Sequence, residues 1–205
     1  MVALSRLWRI EVVGREHIPP GPFVLAPIHR SYLDTPFVSV LTRRRLHYMG
    51  KEEVFNNRAV SRLIRAMGTF PVRRGKGDRE ALRIATSLLV AGEPVVVFPE
   101  GTRREGPVVE TIHEGPAFLS VRSQVPIVPV GIGGSEVVMG RETRLVKLAP
   151  VKLVVGEPIH PPAPEGRRAP RRAVRDVTDE LHEVLQDLFD RAQELAGTPN
   201  PPRPD

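Results

Sequence analysis

The amino-acid sequence predicts a single α/β domain: a mostly parallel central sheet flanked by helices, with a long C-terminal helix. Three observations lead to this fold class. Short β-branched runs alternate with segments of helical periodicity along most of the 205 residues. Two runs, Val95–Phe98 and Ile127–Ile132, are continuously apolar, which is typical of strands buried on both faces. The length suits one domain with its own hydrophobic core.

The amino-terminal half alternates strands and helices. Its strands are predicted at Arg9–Val13, Phe23–Ile28 and Leu46–Met49, and its helices at Leu33–Leu41, Arg58–Met67 and Asp78–Val90. Asp78 can cap the last of these helices, whose apolar face is formed by Leu82, Ala85, Leu88 and Leu89.

The carboxyl half continues this alternation and closes with the long helix. Strands are predicted at Val95–Phe98, Ile127–Ile132 and Val151–Val155, and a helix at Gly115–Arg122. The domain is expected to cover 1–196, with a core at about 8–156, a Pro- and Arg-rich linker at 160–169 and the long helix at 170–196. Pro170 opens that helix, Gly197 ends it, and 197–205 should be a disordered tail. Its predicted apolar stripe is Val174, Val177, Leu181, Leu185, Leu188, Ala192 and Leu195.

Composition and charge restrict the possible functions. The absence of cysteine excludes a disulfide scaffold, a thiolate metal site and a cysteine nucleophile. The net charge of +6 makes phosphorylated ligands, anionic membranes or nucleic acid plausible partners. Only ten aromatic residues and no stacking motif argue against nucleic acid.

Membrane association is possible only at the surface. No run approaches the roughly 20 apolar residues of a membrane-spanning helix. The segment Met1–Ile10 is too short and too interrupted by arginine for a signal peptide, so it either lies on a membrane surface or packs on the core as an ordinary terminal element.

Several common site motifs are absent. Gly131–Glu136 lacks the last glycine of a dinucleotide-binding loop, and Arg74–Asp78 lacks the pattern of a P-loop. Gly133–Val137 fails the nucleophile elbow because Val137 stands where glycine is required. The six histidines form no HExxH pair, so no metal site is predicted.

The first candidate site follows the predicted strand Phe23–Ile28. A strand-to-helix turn can fold His29 back onto Asp34, which would fix the imidazole tautomer and leave Nε2 as a general base. Alternatively, Ser31-x-x-Asp34 resembles a capping box, with Asp34 favouring only the helix amino terminus. Both roles can coexist.

Two further segments each lie at the end of a predicted strand of the same sheet. In Phe98-Pro-Glu-Gly-Thr-Arg103, the glycine allows close approach to an anion and Arg103 can make a bidentate phosphate contact, although the segment could also be a simple polar turn. Gly68-Thr-Phe-Pro-Val-Arg-Arg74 could bring Arg73 or Arg74 to the same edge, although paired arginines are usually solvated.

Together these segments resemble the four motifs of the 1-acylglycerol-3-phosphate acyltransferase family. The matching segments, in order, are His29-x4-Asp34, Gly68 to Arg74, Phe98 to Arg103 and Val125-Pro-Ile-Val-Pro-Val130. The resemblance runs from about Trp8 to Val155 and includes Lys51. Ile28 and His113 stand where the family commonly has asparagine and lysine, which leaves the exact acceptor open.

The resemblance implies an O-acyltransferase of phospholipid biosynthesis. It would move a fatty acyl group from acyl-CoA or acyl-carrier protein to the free hydroxyl of 1-acylglycerol-3-phosphate, giving phosphatidate. His29, oriented by Asp34, would be the catalytic base, and backbone N–H groups near Gly101 would stabilise the oxyanion. The implied substrate-binding residues are Lys51, Arg74, Glu100, Gly101, Thr102 and Arg103.

The same resemblance implies neither a cofactor nor a metal, since the acyl donor is itself a substrate. The enzyme is expected in the cytoplasm, associated peripherally with the inner face of an anionic membrane and without a nucleic-acid partner. Within this class, the acceptor could instead be another lysophospholipid or glycerol-3-phosphate. A different class, a non-catalytic protein that binds anionic lipid, fits the charge equally well, but it gives no reason for His29 and Asp34 to accompany the Glu100–Arg103 turn.

Overall fold

A seven-stranded sheet forms the centre of the protein in a computed structural model. The structure describes residues 6–51, 69–72, 78–140, 145–163 and 170–202. The strands are β1 (Glu11–Val13), β2 (Val24–Pro27), β3 (His47–Lys51), β4 (Thr69–Val72), β5 (Val95–Val96), β6 (Ile127–Gly133) and β7 (Lys152–Val155).

The strand order is β1-β7-β6-β2-β5-β3-β4. Among these described strands only β6 and β7 pair antiparallel, and every other neighbouring pair is parallel. The predicted single α/β domain with a mostly parallel sheet is therefore confirmed. The strands from β6 to β4 all run in one direction, so their carboxyl ends share one edge of the sheet.

Five α-helices flank the sheet in the described part of the chain. They are α1 (Asp34–Val38), α2 (Asp78–Val90), α3 (Gly115–Ser123), α4 (Ser135–Met139) and α5 (Arg171–Ala196), with a short 3-10 turn at Arg15–His17. None of the described helices is long and apolar enough to cross a membrane. The short α4 and the strand β4 were not predicted, and the predicted helix Arg58–Met67 lies outside the described residues.

The predicted long helix is present as α5, with both of its predicted ends. Pro170 precedes its first turn, and Gly197 ends it in the left-handed conformation at φ 80°. The predicted stripe is wrong at one position, because Leu195 is exposed. Phe189, which the stripe omitted, is fully buried instead.

Helix α5 lies directly on β6 because that strand carries no side chain where the two meet. A Cβ at Gly131 would stand 2.1 Å from the Leu188 carbonyl oxygen, and one at Gly133 would stand 2.0 Å from that of Ala192. These two glycines share one strand face, so the helix backbone can approach the sheet along two successive turns. The carboxyl end of β6 is thereby fixed against α5.

The predicted linker and tail are only partly covered by the structure. Residues 164–169 of the linker lie outside the described chain. Beyond Gly197, Asn200 donates hydrogen bonds to Asp190 Oδ1 at 2.8 Å and to the Pro107 carbonyl oxygen at 3.4 Å. Disorder over 197–205 stays a prediction.

Candidate active site

Two loops meet at the carboxyl edge of the sheet. One follows β2 and leads into α1, and the other follows β5. Because β2 and β5 are parallel neighbours, both loops leave the sheet on the same side. A backbone hydrogen bond of 2.9 Å from the Arg104 N–H to the His29 carbonyl oxygen joins them directly.

The first loop holds the predicted histidine–aspartate contact. His29 Nδ1 lies 2.9 Å from Asp34 Oδ2, at the first residue of α1. The Asp34 side chain is buried, whereas His29 retains some exposure to solvent. An ionised carboxylate can only accept a hydrogen bond, so the proton of a neutral His29 ring sits on Nδ1 and Nε2 is the basic nitrogen.

The same carboxylate oxygen of Asp34 also shapes the loop. It accepts hydrogen bonds of 2.7 Å from the backbone N–H groups of Arg30 and of Ser31. The Ser31 contact is one half of the capping box predicted as an alternative. The other half is not formed, because Ser31 Oγ accepts from Leu33 N–H and donates to the Met139 carbonyl oxygen. Asp34 therefore fixes both the loop backbone and the imidazole.

An aromatic ring from the second loop supports His29. The Phe98 ring stacks on the imidazole with a centroid separation of 4.1 Å and an interplanar angle of 25°. Asp34 holds one edge of the imidazole and Phe98 covers one face. The orientation of His29 is therefore set by both loops.

A buried ion pair between Arg30 and Glu100 connects the two loops next to His29. Arg30 Nη1 donates to Glu100 Oε1, and both side chains are almost completely buried. The other oxygen, Glu100 Oε2, accepts a 2.7 Å hydrogen bond from the His29 backbone N–H. Arg30 also donates to the Val108 carbonyl oxygen and lies over the Phe189 ring at 4.8 Å. Both carboxylate oxygens of Glu100 are thus engaged in holding His29 and its neighbour.

Gly101 forms the turn of the second loop. Its φ of 64° is left-handed, and a Cβ there would stand 2.7 Å from the Nε2 of His113. Its own N–H donates to the Phe98 carbonyl oxygen at 3.0 Å. The expected oxyanion donors near Gly101 therefore do not include the Gly101 N–H itself while that bond is made.

Arg103 is held against the first loop by an aromatic contact. Its guanidinium carbon lies 3.6 Å from the centre of the half-exposed Tyr32 ring. Its Nε is buried and has no hydrogen-bond partner among the described residues. The cation therefore lies beside the loop that carries His29.

The structure locates the remaining predicted residues less completely. Lys51 ends β3 and therefore lies at the same carboxyl edge, but its side chain is outside the described part. Arg74 follows β4 by two residues and lies outside the described chain altogether. Thr102 is half-buried in the turn between Gly101 and Arg103.

Sequence reasoning missed three side chains that build the site: Arg30, Tyr32 and Phe98. Arg30 and Tyr32 lie in an irregular loop, where no periodicity indicates which way a side chain points. Phe98 was part of a recognised segment, but nothing in its spacing pointed to His29. The one available signal for the contact between Phe98 and His29 was that the apolar run Val95–Phe98 ends two residues before the carboxylate of Glu100.

The chain matches one protein-family model and several known proteins. A family model described as acyltransferase matches residues 9–133. A 1-acyl-sn-glycerol-3-phosphate acyltransferase of Bacillus subtilis (strain 168) is 28% identical over 196 residues, which are 95% of each chain. A human protein, 1-acyl-sn-glycerol-3-phosphate acyltransferase alpha, is 34% identical over 126 residues, which are 60% of this chain and 44% of the human one.

A solved structure has the same fold. It is the crystal structure of the 1-acyl-sn-glycerophosphate acyltransferase PlsC from Thermotoga maritima, with a TM-score of 0.68 and 24% sequence identity. The match covers 89% of this chain and 78% of that one. The family match includes both loops described above.

Proposed function

This chain belongs to the acyltransferase family, and on that premise we propose that it transfers a fatty acyl group from an acyl thioester to the free hydroxyl of 1-acylglycerol-3-phosphate, giving phosphatidate. The observation that carries the proposal is the His29–Asp34 contact of 2.9 Å beside the loop that presents Arg103. A base and a phosphate-binding cation at one sheet edge suit a hydroxyl acceptor that bears a phosphate. The names of the relatives from B. subtilis and human support the same acceptor.

In the proposed reaction His29 accepts one proton and later returns it. Its Nε2 accepts the proton of the acceptor hydroxyl as that oxygen attacks the thioester carbonyl carbon. The new C–O bond forms, the C–S bond breaks, and the departing thiolate takes the proton back from the imidazolium. Asp34 keeps the other proton at Nδ1 and stabilises the imidazolium. No acyl-enzyme is needed, which agrees with a sequence that has no cysteine.

Acceptor recognition is assigned to the second loop and its neighbours along the sheet edge. The Arg103 guanidinium provides a planar, permanently charged fork for the acceptor phosphate. Lys51 and Arg74 are assigned to the same phosphate because the family resemblance implies it. Glu100 acts by positioning, through its bonds to Arg30 and His29, while Gly101 and Thr102 form the turn.

The proposal also covers the acyl donor and the cellular location of the enzyme. Acyl-CoA and acyl-carrier protein both provide the required thioester, and no cofactor or metal takes part. The product phosphatidate places the enzyme in phospholipid biosynthesis. Its lipid acceptor requires contact with a membrane, and we propose that this contact is at the cytoplasmic face.

The test is an assay of the purified protein with a panel of acceptors, both donor types, and positional analysis of the product. We expect the highest kcat/KM for 1-acylglycerol-3-phosphate, and a kcat about 10²–10⁴-fold lower for His29→Ala. Preference for an acceptor without phosphate would contradict the assigned substrate. Lipid binding without acylation of any acceptor would favour the non-catalytic alternative.

A further inference from the structure

Three aliphatic side chains are exposed within four consecutive residues between α4 and β7. Leu145, Val146 and Leu148, which we call the apolar patch, are 74%, 53% and 68% exposed. Single exposed aliphatic residues are ordinary on soluble proteins, whereas a cluster on one short segment is a candidate interaction site.

The backbone beneath the apolar patch is fixed to the fold. The Lys147 N–H donates to the Val138 carbonyl oxygen of α4 at 2.8 Å. Trp8 Nε1 donates to the Lys147 carbonyl oxygen at 3.0 Å, and the Trp8 ring makes an edge contact with the buried Phe37 at 5.6 Å. The apolar patch is therefore presented on a supported segment.

The apolar patch lies beside the candidate active site. Helix α4, which Lys147 contacts, ends at Met139, and the Met139 carbonyl oxygen accepts a 2.8 Å hydrogen bond from Ser31 Oγ. Ser31 stands two residues after His29 in the same loop. Two hydrogen bonds thus connect the segment of the apolar patch to the loop of the proposed base.

Exposed basic residues lie on the segment of the apolar patch and on the segment that contacts it. Lys147 lies within the segment and is exposed, and Arg6 and Arg9, on either side of the Trp8 that contacts it, are exposed as well. Leu7, between Arg6 and Trp8, adds another exposed aliphatic side chain. The acidic residue of α4, Glu136, accepts a hydrogen bond from the side-chain amide of Gln193 in α5. Aliphatic side chains among cations complement a membrane surface with anionic headgroups.

We propose that the apolar patch inserts into an anionic lipid surface and thereby sets the His29 loop against the bilayer that holds the acceptor. The identity of that acceptor rests on the proposed function. A bilayer fits better than a protein partner for two reasons. Leucine and valine are under-represented among the residues that dominate protein interfaces. A few side chains on one segment also fall short of the roughly 20 to 30 residues that each side of a stable interface uses.

Vesicle binding tests the insertion. Wild type, Leu145→Glu/Leu148→Glu and Val90→Glu are sedimented with vesicles of phosphatidylglycerol and phosphatidylcholine in equal parts. Val90 is the matched control, because it is 76% exposed but ends α2 at the opposite edge of the sheet. We expect the double variant to bind about tenfold or more weakly, since each leucine loses its apolar transfer to lipid. Val90→Glu should bind like wild type. Equal binding by all three proteins overturns the proposal.

Activity on two forms of the acceptor separates this proposal from the proposed function. The double variant should lose acylation of a long-chain acceptor held in vesicles, while turnover of a short-chain acceptor dissolved as monomers stays within about twofold of wild type. Equal loss on both forms would mean that the segment supports the site itself, which overturns the proposal. Light scattering without lipid that finds a dimer broken by the double variant also overturns it. Failure of wild type on the monomeric acceptor contradicts the proposed function, while sedimentation still decides the membrane contact.

Discussion

The guanidinium carbon of Arg103 lies 3.6 Å from the centre of the Tyr32 ring, so a residue of the first loop holds the phosphate-binding candidate of the second. Replacing Tyr32 with leucine should remove a cation–π contact worth about 0.5–2 kcal/mol, which corresponds to about a 2- to 30-fold higher acceptor KM. Tyr32→Phe keeps the ring and should behave like wild type. Steady-state kinetics that vary acceptor and donor separately make the measurement. An unchanged acceptor KM in Tyr32→Leu would contradict this role.

Arg103 itself should act on the acceptor more than on the donor. Arg103→Ala is expected to raise acceptor KM strongly and donor KM little, because it removes the proposed bidentate phosphate contact. Arg103→Lys keeps the charge without the fork and should remain impaired. Melting temperatures provide the control. If Arg103→Ala lowers stability but the folded fraction has normal kinetics, the residue only braces the loop.

Removing the proposed base should slow the reaction strongly and leave the fold intact. His29→Ala is expected to lower kcat by about 10²–10⁴-fold, the usual contribution of a general base. Asp34→Asn should also lower kcat, because its amide oxygen is an uncharged, weaker acceptor for the His29 ring and the two backbone N–H groups and does not stabilise the imidazolium. The exposed His160 is the matched control, and His160→Ala should retain full activity. Near-normal turnover of a folded His29→Ala protein would refute the mechanism.

The buried pair of Arg30 and Glu100 should matter for stability. Glu100→Gln keeps the shape but leaves the buried guanidinium without its counter-charge, a loss of about 3–5 kcal/mol in the free energy of unfolding. Glu80→Gln removes the partner of Arg83 in an exposed pair and should leave the melting temperature unchanged. Chemical denaturation of both variants gives the comparison. Equal stability of the two would mean that the buried pair contributes no more than a surface one.

Gly101 should tolerate alanine less well than another left-handed glycine. Gly92→Ala and Gly101→Ala both force an L-residue to positive φ, at about 1–2 kcal/mol each. A Cβ at Gly92 meets nothing within 4 Å, whereas one at Gly101 meets the His113 ring at 2.7 Å. We therefore expect only Gly101→Ala to lose activity, and His113→Ala in the same chain to restore part of it. Equal kcat/KM for the two single variants would argue against the constraint.

Sequence patterns predicted the elements whose side chains repeat regularly. Buried strands such as β2 and β6 and the amphipathic α2 and α5 all have this property. The antiparallel direction of β7 was not predicted. The chain leaves β6 at the carboxyl edge, and the only helix described between β6 and β7 is the five-residue α4, so β7 starts from the edge where β6 ended. Strand periodicity alone contains no information on direction.

Within the site, the sequence predicted what a motif encodes but not what packing decides. The contact between His29 and Asp34 follows from five-residue spacing across a strand-to-helix turn. The burial of Arg30 depends on Glu100 and Phe189, which are distant in sequence, and a charged residue in a loop is ordinarily expected in water. The pairing of Arg103 with Tyr32 depends likewise on the approach of two separate loops.

The strand order has a consequence for biosynthesis. Strand β1 lies at the end of the sheet, and its hydrogen-bonded neighbour is β7, about 140 residues further along the chain. The β6 backbone is covered by α5, which is made later still. On the ribosome, the segment that carries His29 emerges early, before β7 and α5 have been synthesised. A ribosome-bound chain stalled before residue 150 should therefore be protease-sensitive and inactive, and native structure should appear only after α5 has been translated.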